Sequence, residues 1–337
     1  MTMKNPLRDC AARILPVSLF SCTKLSVPEY RIDLSGSSGG DSGTTSGCGL
    51  GGNSGSDAGG GTEIRIVQVS DLHSNDYGGK DGILASRIRE VQPDLIVMTG
   101  DIFDEEMGKK KTFANVSSLM EGISGLCPVY YVLGNHEFYA DEKPFLSAIA
   151  SAGAIVLNDE AVLATPKGRP LVIAGLRDPY ADLSEEQREK RKEDQEDAYR
   201  LRLERLAQEA RSLAEASPAE AETHGAAEAA GHAGSPCPSI LLAHRPEYID
   251  DYAQYGFDLI FSGHAHGGQW IIPNRVNGVY AVGQGFFPKY AGGLYEIERN
   301  PGSGCIHFIV SRGLSYQKPA FPRFGNPCEL PLVKLTL

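Results

Sequence analysis

The stretch DLIFSGHAHGGQ, residues 258–269, decides how the rest of the chain is read. Asp258 to Phe261 is the short apolar run of a buried strand; it stops at Ser262-Gly263, after which two histidines alternate with small residues. In an extended chain side chains two apart point the same way, so His264 and His266 can reach into one site, whereas on a helix they would lie on nearly opposite faces. Gly263, Gly267 and Gly268 let the backbone bend sharply and come close to whatever the imidazoles hold. Taken alone, an H-x-H of this kind is more often a glycine turn with two incidental histidines.

The chain upstream turns that reading toward a site. Glu63 to Val69 is a buried apolar run that delivers Ser70-Asp71-Leu72-His73, a carboxylate and an imidazole two apart at a strand end. Asp94 to Met98 delivers Thr99-Gly100-Asp101; Pro128 to Leu133 delivers Gly134-Asn135-His136-Glu137; Ser239 to Ala243 delivers His244-Arg245-Pro246. Between the first three runs, Ile83, Leu84, Ile88 and Val91, then Val116, Leu119, Met120 and Ile123, recur at helical spacing. Strand, helix, strand, helix, strand predicts an α/β sheet, whose ligands gather at the carboxyl ends of the strands, and each polar tip falls there.

Residues 26–33 read as a first strand beside Glu63 to Val69, separated from it by a Gly/Ser-rich insertion (34–62) too poor in apolar residues to order itself. Short strands at 155–157, 161–164 and 171–174 are expected to form the antiparallel part of a second sheet, which the alternating tail from Gln269 to Leu337 completes. A charged helical insertion runs from an N-cap at Ser184 to Ala216, followed by an Ala/Gly linker to Pro238. In its second half Tyr199, Leu203, Leu206, Ala210 and Leu213 form a seam that wants the flank of the domain as partner. The domain organisation read from the sequence is thus an N-terminal segment, residues 1–28, and one domain, residues 29–337, with insertions at 34–62 and 184–238.

Composition narrows the class. Of the 337 residues 41% are hydrophobic and 22% charged, the balance of a globular protein. The net charge of −11 and the absence of a clustered basic face argue against a nucleic-acid surface. Seven scattered cysteines with no C-x-x-C pair suit free thiols in a reducing compartment. No run of about 18 apolar residues exists to span a membrane. The patch Ile14 to Phe20 behind Lys4, Arg8 and Arg13 is at the lower limit of a signal or anchor, so the expectation is a cytoplasmic protein, peripheral to a membrane at most, with export left open.

The strand-end residues in order are Asp71, His73, Asp101, Asn135, His136, His244, His264 and His266. Carboxylate, imidazole and amide donors without thiolate suit manganese, iron or zinc. That many donors suit two divalent ions about 3.5–4 Å apart better than one, with a shared carboxylate between them. Four positive charges, less two for Asp71 and Asp101 and one for a bridging hydroxide, leave the site near +1, attractive to a phosphate oxyanion.

D-x-H, G-D, G-N-H-E, a lone strand-end His and G-H-x-H, in this order, resemble the calcineurin-like metallophosphoesterase superfamily. The resemblance covers about Tyr30 to Leu337 outside the two insertions. It implies a two-sheet α/β/β/α sandwich with Asp71, His73 and His266 on a first metal, Asp101 bridging, and Asn135, His244 and His264 on a second. His136 matches the family's catalytic histidine, and Asp104 sits where some members place the carboxylate that orients it. GHAHGGQW, FFPKYAGGLY and SRGLSY resemble a bacterial, membrane-associated, phosphodiesterase-like branch. Asp101-Ile-Phe-Asp-Glu where protein phosphatases carry Arg-Gly, and Ser70 where they carry Gly, argue against a phosphoprotein substrate.

The expected function is metal-dependent hydrolysis of a phosphodiester or of a pyrophosphate-linked lipid or nucleotide, with manganese the preferred ion and peripheral membrane contact as a further partner. A phosphomonoesterase and a non-hydrolytic scaffold of the same fold are the alternatives. Around the site Arg245 is read equally as a phosphate grip or a loop anchor, Arg312 and Tyr316 as pocket lining or core, and Trp270 as covering the sheet edge. Glu137 is read as a helix cap, and His224 and His232 as idle linker residues.

Overall fold

The computed structural model describes residues 25–35, 61–104, 109–139, 142–181, 192–216, 237–272, 275–299, 304–316 and 323–337. Its elements, in chain order, are β1 (Glu29–Asp33), β2 (Glu63–Val69), α1 (Ile83–Glu90), β3 (Leu95–Thr99), α2 (Lys109–Ile123), β4 (Val129–Val132), α3 (Asn135–Tyr139), α4 (Glu142–Ser151), β5 (Ala154–Val156), β6 (Glu160–Ala164), β7 (Leu171–Leu176), α5 (Lys192–Ala216), β8 (Ser239–Ala243), α6 (Ile249–Tyr252), β9 (Leu259–Ser262), β10 (Tyr280–Ala281), β11 (Gly285–Phe286), β12 (Gly293–Glu298), β13 (Cys305–Val310) and β14 (Leu332–Thr336).

Two six-stranded sheets form, ordered β1-β14-β2-β3-β4-β5 and β12-β13-β9-β8-β7-β6. Side-chain alternation assigns the layers. From β2, Ile64 and Ile66 enter the space between the sheets, where they meet Ile240 and Leu242 of β8 and Leu259 and Phe261 of β9. Val67 and Val69 face the other way and pack with Leu84 and Ile88 of α1 and Val116 and Met120 of α2. The outer face of the second sheet is covered by α5, whose Tyr199, Leu203, Leu206 and Ala210 pack on Val172 and Leu241. This is the expected α/β/β/α sandwich, and the α5 seam does meet the flank of the domain.

Three strand placements differ from the sequence reading. β5, over residues 154–156, pairs parallel with β4 in the first sheet; of the three short strands only β6 and β7 join the second, as an antiparallel pair. The tail divides: β12 and β13 join the second sheet, but β14 enters the first between β1 and β2, parallel to one and antiparallel to the other. β1 and β2 are therefore separated by a strand from the far end of the chain. Alternation tells which residues share a face, and it is silent on which neighbour a strand takes.

Cys127, Cys237 and Cys328 are free thiols, whereas Cys305 is disulfide-bonded, so the reading of seven free thiols fails there. Among the described residues no helix is long and apolar enough to cross a membrane. The N-terminal patch, most of the Gly/Ser insertion, the Ser184 cap and the linker with His224 and His232 lie outside the described residues.

Leu203 is fully buried on α5, away from the strand-end loops. Leu203→Ala should cost about 2–5 kcal/mol in urea unfolding and leave metal uptake per folded chain unchanged; a cost near zero would mean that α5 does not close this core.

Candidate metal centre

The carboxyl ends of β2, β3 and β4 in one sheet and of β8 and β9 in the other converge on a single edge of the sandwich. The loops are pinned to one another by backbone bonds. Asp71 N–H donates to Gly100 O (3.0 Å), His73 N–H to Asp101 O (2.9 Å) and Ser74 N–H to Ile102 O (2.9 Å). Across the sheets, His264 N–H donates to Asp71 Oδ1 (2.9 Å) and His244 Nδ1 meets Thr99 O at 2.7 Å. Gln68, which no motif marks, ties the sheets just below the site through Nε2 to Thr99 Oγ1 and to Ser262 O, both at 2.9 Å.

Asp71, His73, Asp101, His264 and His266 all have positive φ, between +46° and +64°. The left-handed region is uncommon outside glycine, and Asp and His are among the residues that tolerate it best. Two glycines are required by proximity: a Cβ on Gly263 would collide with Ser70 Oγ and Asp71 Oδ2, and one on Gly134 with Asp101 Oδ1.

The side chains brought together are those of the motifs. Asp71, His73 and His266 place one donor atom each within 4.8 Å of one another, as do His73, Asp101 and His136, and Asp101, His244 and His264. Asp101 Oδ2 lies 3.2 Å from His244 Nε2, 3.7 Å from His73 Nε2 and 4.0 Å from His136 Nε2. Imidazole nitrogens also face each other directly, His73 Nε2 to His266 Nε2 and His264 Nδ1 to His244 Nε2, each at 3.2 Å. Asn135 Oδ1 is buried with no hydrogen-bond partner. Carboxylate and imidazole donor atoms crowded this closely, with a buried, unpartnered amide oxygen beside them, form a set that fits divalent metal.

Residues 64–268 match the family model described as calcineurin-like phosphoesterase. The chain belongs to that family. It is 25% identical over 276 residues to an uncharacterized metallophosphoesterase of Helicobacter pylori, covering 81% of this chain and 60% of the relative. It is 29% identical over 210 residues to an uncharacterized metallophosphoesterase of Aquifex aeolicus, covering 62% of this chain and 65% of the relative. The chain thus spans less than two thirds of the length of either. Among solved structures it is similar to the NAD nucleotidase of Haemophilus influenzae, with 17% identity, a TM-score of 0.46, and coverage of 76% of this chain and 46% of that one.

At this site the ionisation pattern follows from burial and the central carboxylate. Burial opposes charge on Asp101, but His244, His136 and His73 outweigh it and hold the carboxyl well below its usual range. Burial likewise opposes the His244 imidazolium, yet Asp101, then Asp71 and Asp178, hold its pKa up at about 10. Burial, aided by Asp101, pushes Asp71 up to about 6 against the attraction of His244. His264 and His266 are pressed well below the ordinary imidazole value by burial, then by Arg245 and His244 for the first and by His73 and Arg323 for the second.

Several residues beyond the expected ligands shape the site. Glu137 does cap its helix, accepting Gly134 N–H at 2.8 Å, but the same buried carboxylate accepts the N–H groups of Asp101 (3.0 Å), Ile102 (2.7 Å) and Phe103 (3.2 Å) and the Tyr131 hydroxyl (2.8 Å). It is the clamp that sets the Asp101 loop. Arg245 is an anchor: Nε donates to Asp178 Oδ2 (2.6 Å), Nη1 to Glu247 Oε1 (3.2 Å), and Nη1 lies 3.3 Å from His264 Nε2. Arg323, buried, reaches His266 Nδ1 at 3.4 Å. Asp104 stands 3.9 Å from His73 Nδ1, at the nitrogen away from Asp101, a neighbour the spacing did not suggest. Arg312 is held by Glu329 and Tyr316 by the Asp76 carbonyl, while Trp270 is partly exposed against Phe324.

Two outcomes follow from this geometry. His244 carries a proton at neutral pH that a cation must expel, so the affinity of the metal-free protein should rise from pH 7 toward pH 10, with proton release counted by calorimetry in buffers of different ionisation enthalpy; uptake without proton release would contradict the assignment. Glu137→Ala should lower metal affinity about 10–100-fold, the usual effect of removing a residue that orients a ligand loop; metal titration of the variant checks it.

Proposed function

We propose that the protein hydrolyses a phosphodiester, using two divalent cations, manganese by preference, that share Asp101. The observation that carries this is the placement of Asp101 Oδ2 among imidazoles from both sheets, with His73 on one side and His244 on the other. Asp71, His73 and His266 would hold one ion, and Asn135, His244 and His264 the second. Bound there, such ions draw the pKa of water toward neutrality, to about 7 in the best zinc cases, and offset phosphate charge.

The chain's own groups then have distinct tasks. His136 has the most exposed side chain of the site imidazoles, at 22%, and its backbone N–H is fixed on Asp101 Oδ1 at 2.9 Å. It is placed to meet the phosphate and protonate the leaving oxygen. Asp104 supports the His73 ring, and Glu137 keeps the Asp101 loop from moving as charge develops. A diester is favoured over a monoester because Arg245 is already neutralised by two carboxylates and has little charge left for a dianionic phosphate. A phosphate bridging a lipid or nucleotide to a second group has the required single charge.

Purified with manganese, the parent should hold about two ions per chain and turn over bis-p-nitrophenyl phosphate faster than p-nitrophenyl phosphate. Asp101→Asn should lose both metal and turnover, while His136→Ala should keep its metal and lose about 100- to 10,000-fold in kcat. Undiminished diester turnover by Asp101→Asn would defeat the hydrolytic reading; a metal-free, inactive parent would support a scaffold.

A further inference from the structure

From Leu259 to Tyr295 the 37 residues contain no Asp or Glu, in a chain that has 43 of them and a net charge of −11. The middle of this stretch forms a two-stranded antiparallel hairpin, β10–β11, in which Tyr280 pairs with Phe286 and Ala281 with Gly285. Among the described residues it pairs with no other strand. Phe286 is 74% exposed and Phe287 70%; Tyr280, whose ring lies 5.4 Å from that of Phe286, and Trp270, Ile272 and Val282 of the same segment are exposed as well. Single exposed apolar residues are ordinary, but six in one acid-free segment, two of them adjacent phenylalanines at the hairpin, point to an interaction surface.

The local backbone supports presentation outward. Phe287 has φ +55°, a conformation that a bulky side chain seldom adopts, and it is fixed there by donating its N–H to Val279 O at 2.8 Å. Val279 N–H in turn donates to Gly268 O at 2.8 Å, in the turn that carries His266. The aromatic hairpin is therefore tethered through two hydrogen bonds to the Gly268 turn beside His266.

We infer that this hairpin docks on an anionic phospholipid bilayer, seating Phe286 and Phe287 in the headgroup and acyl boundary. Trp, Tyr and Phe beside Arg and Lys is the composition of a membrane-interface anchor, whereas protein interfaces are depleted in Lys. The charged side chains exposed in the segment are Arg275 and Lys289, both positive, which complements anionic lipid on an otherwise acidic protein. Of the carboxylates that approach, Glu247 lies under Gly283 and is engaged by Arg245, and Asp250 lies near Lys289. Docking stands independently of the hydrolytic reading; where that reading also holds, the substrate class is a lipid-linked phosphoester taken from the surface on which the hairpin sits.

The test is co-sedimentation of the full-length, manganese-loaded protein with phosphatidylcholine vesicles, with and without phosphatidylglycerol. The parent should sediment with the phosphatidylglycerol vesicles and be released by salt. The double variant Phe286→Ser/Phe287→Ser should lose about tenfold or more in partition coefficient and keep parental turnover of bis-p-nitrophenyl phosphate, which separates docking from catalysis. Should that variant fold poorly, Arg275→Glu/Lys289→Glu leaves the aromatics in place and should lose binding to the anionic vesicles. A parent that stays in the supernatant with both vesicle types, or charge and aromatic variants that bind like the parent, would overturn the inference. So would sedimentation velocity showing a parental dimer that the aromatic variant dissolves, since a second copy would then cover the patch.

Discussion

Asp101 Oδ2 and His244 Nε2 lie 3.2 Å apart, both almost wholly out of water, one delivered by each sheet. A buried carboxylate is tolerable only where positive charge or donors surround it. Asp101 has three imidazoles within 4 Å, and its other oxygen accepts the His136 N–H. The pair therefore helps to fix the distance between the carboxyl edges of the two sheets, together with the His264–Asp71 and His244–Thr99 contacts. Gln68 adds a second rung just below, also bonded to both sheets. Packing brings the layers together, and these polar links set their register at the site.

The same constraint explains why the ligand residues are backbone outliers. Loops that must aim side chains inward from strand ends, against loops doing the same from a facing sheet, have little room for an ordinary extended exit. Five of the convergent residues turn left-handed, at a cost of order 1–3 kcal/mol for a residue that suits the conformation poorly. Glu137 holds the worst-crowded of these loops by taking three consecutive N–H groups, at 101 to 103, on one carboxylate. Burial and then Asp101 raise the pKa of Glu137, and the donors around both its oxygens oppose that shift.

How much of this could be read without coordinates follows from what each kind of signal encodes. The strand tips were legible because a buried strand is an apolar run and a ligand is a polar residue just beyond it, both local facts. Sheet membership was less so: LVKLT of β14 alternates as well in one sheet as in the other, and what places it between β1 and β2 is pairing across some three hundred residues of chain. Glu137 was legible as a cap because the i to i+3 spacing is local, but its hold on residues 101 to 103 is not. Asp178 and Arg323 were invisible for a related reason. Each acts on a histidine far away in sequence, and neither stands in a pattern that requires it.

Arg245 shows how such long-range partners alter chemistry as well as shape. Read from its neighbours, it could have gripped a phosphate, since it follows a ligand histidine directly. Asp178 and Glu247 remove that option by taking its charge, and Tyr180 covers the guanidinium face at 4.6 Å. What remains at His264 Nε2 is a fixed guanidinium that presses the ring toward its neutral form, the form that can donate a lone pair. Arg323 does the same to His266 from the opposite side of the site. Burial first, then Arg245 at His264 and His73 and Arg323 at His266, press the two histidines of G-H-x-H toward the neutral form, while Asp101 favours the protonated form of His244. The donors of the centre are accordingly poised unequally, and His244 is where proton and cation compete.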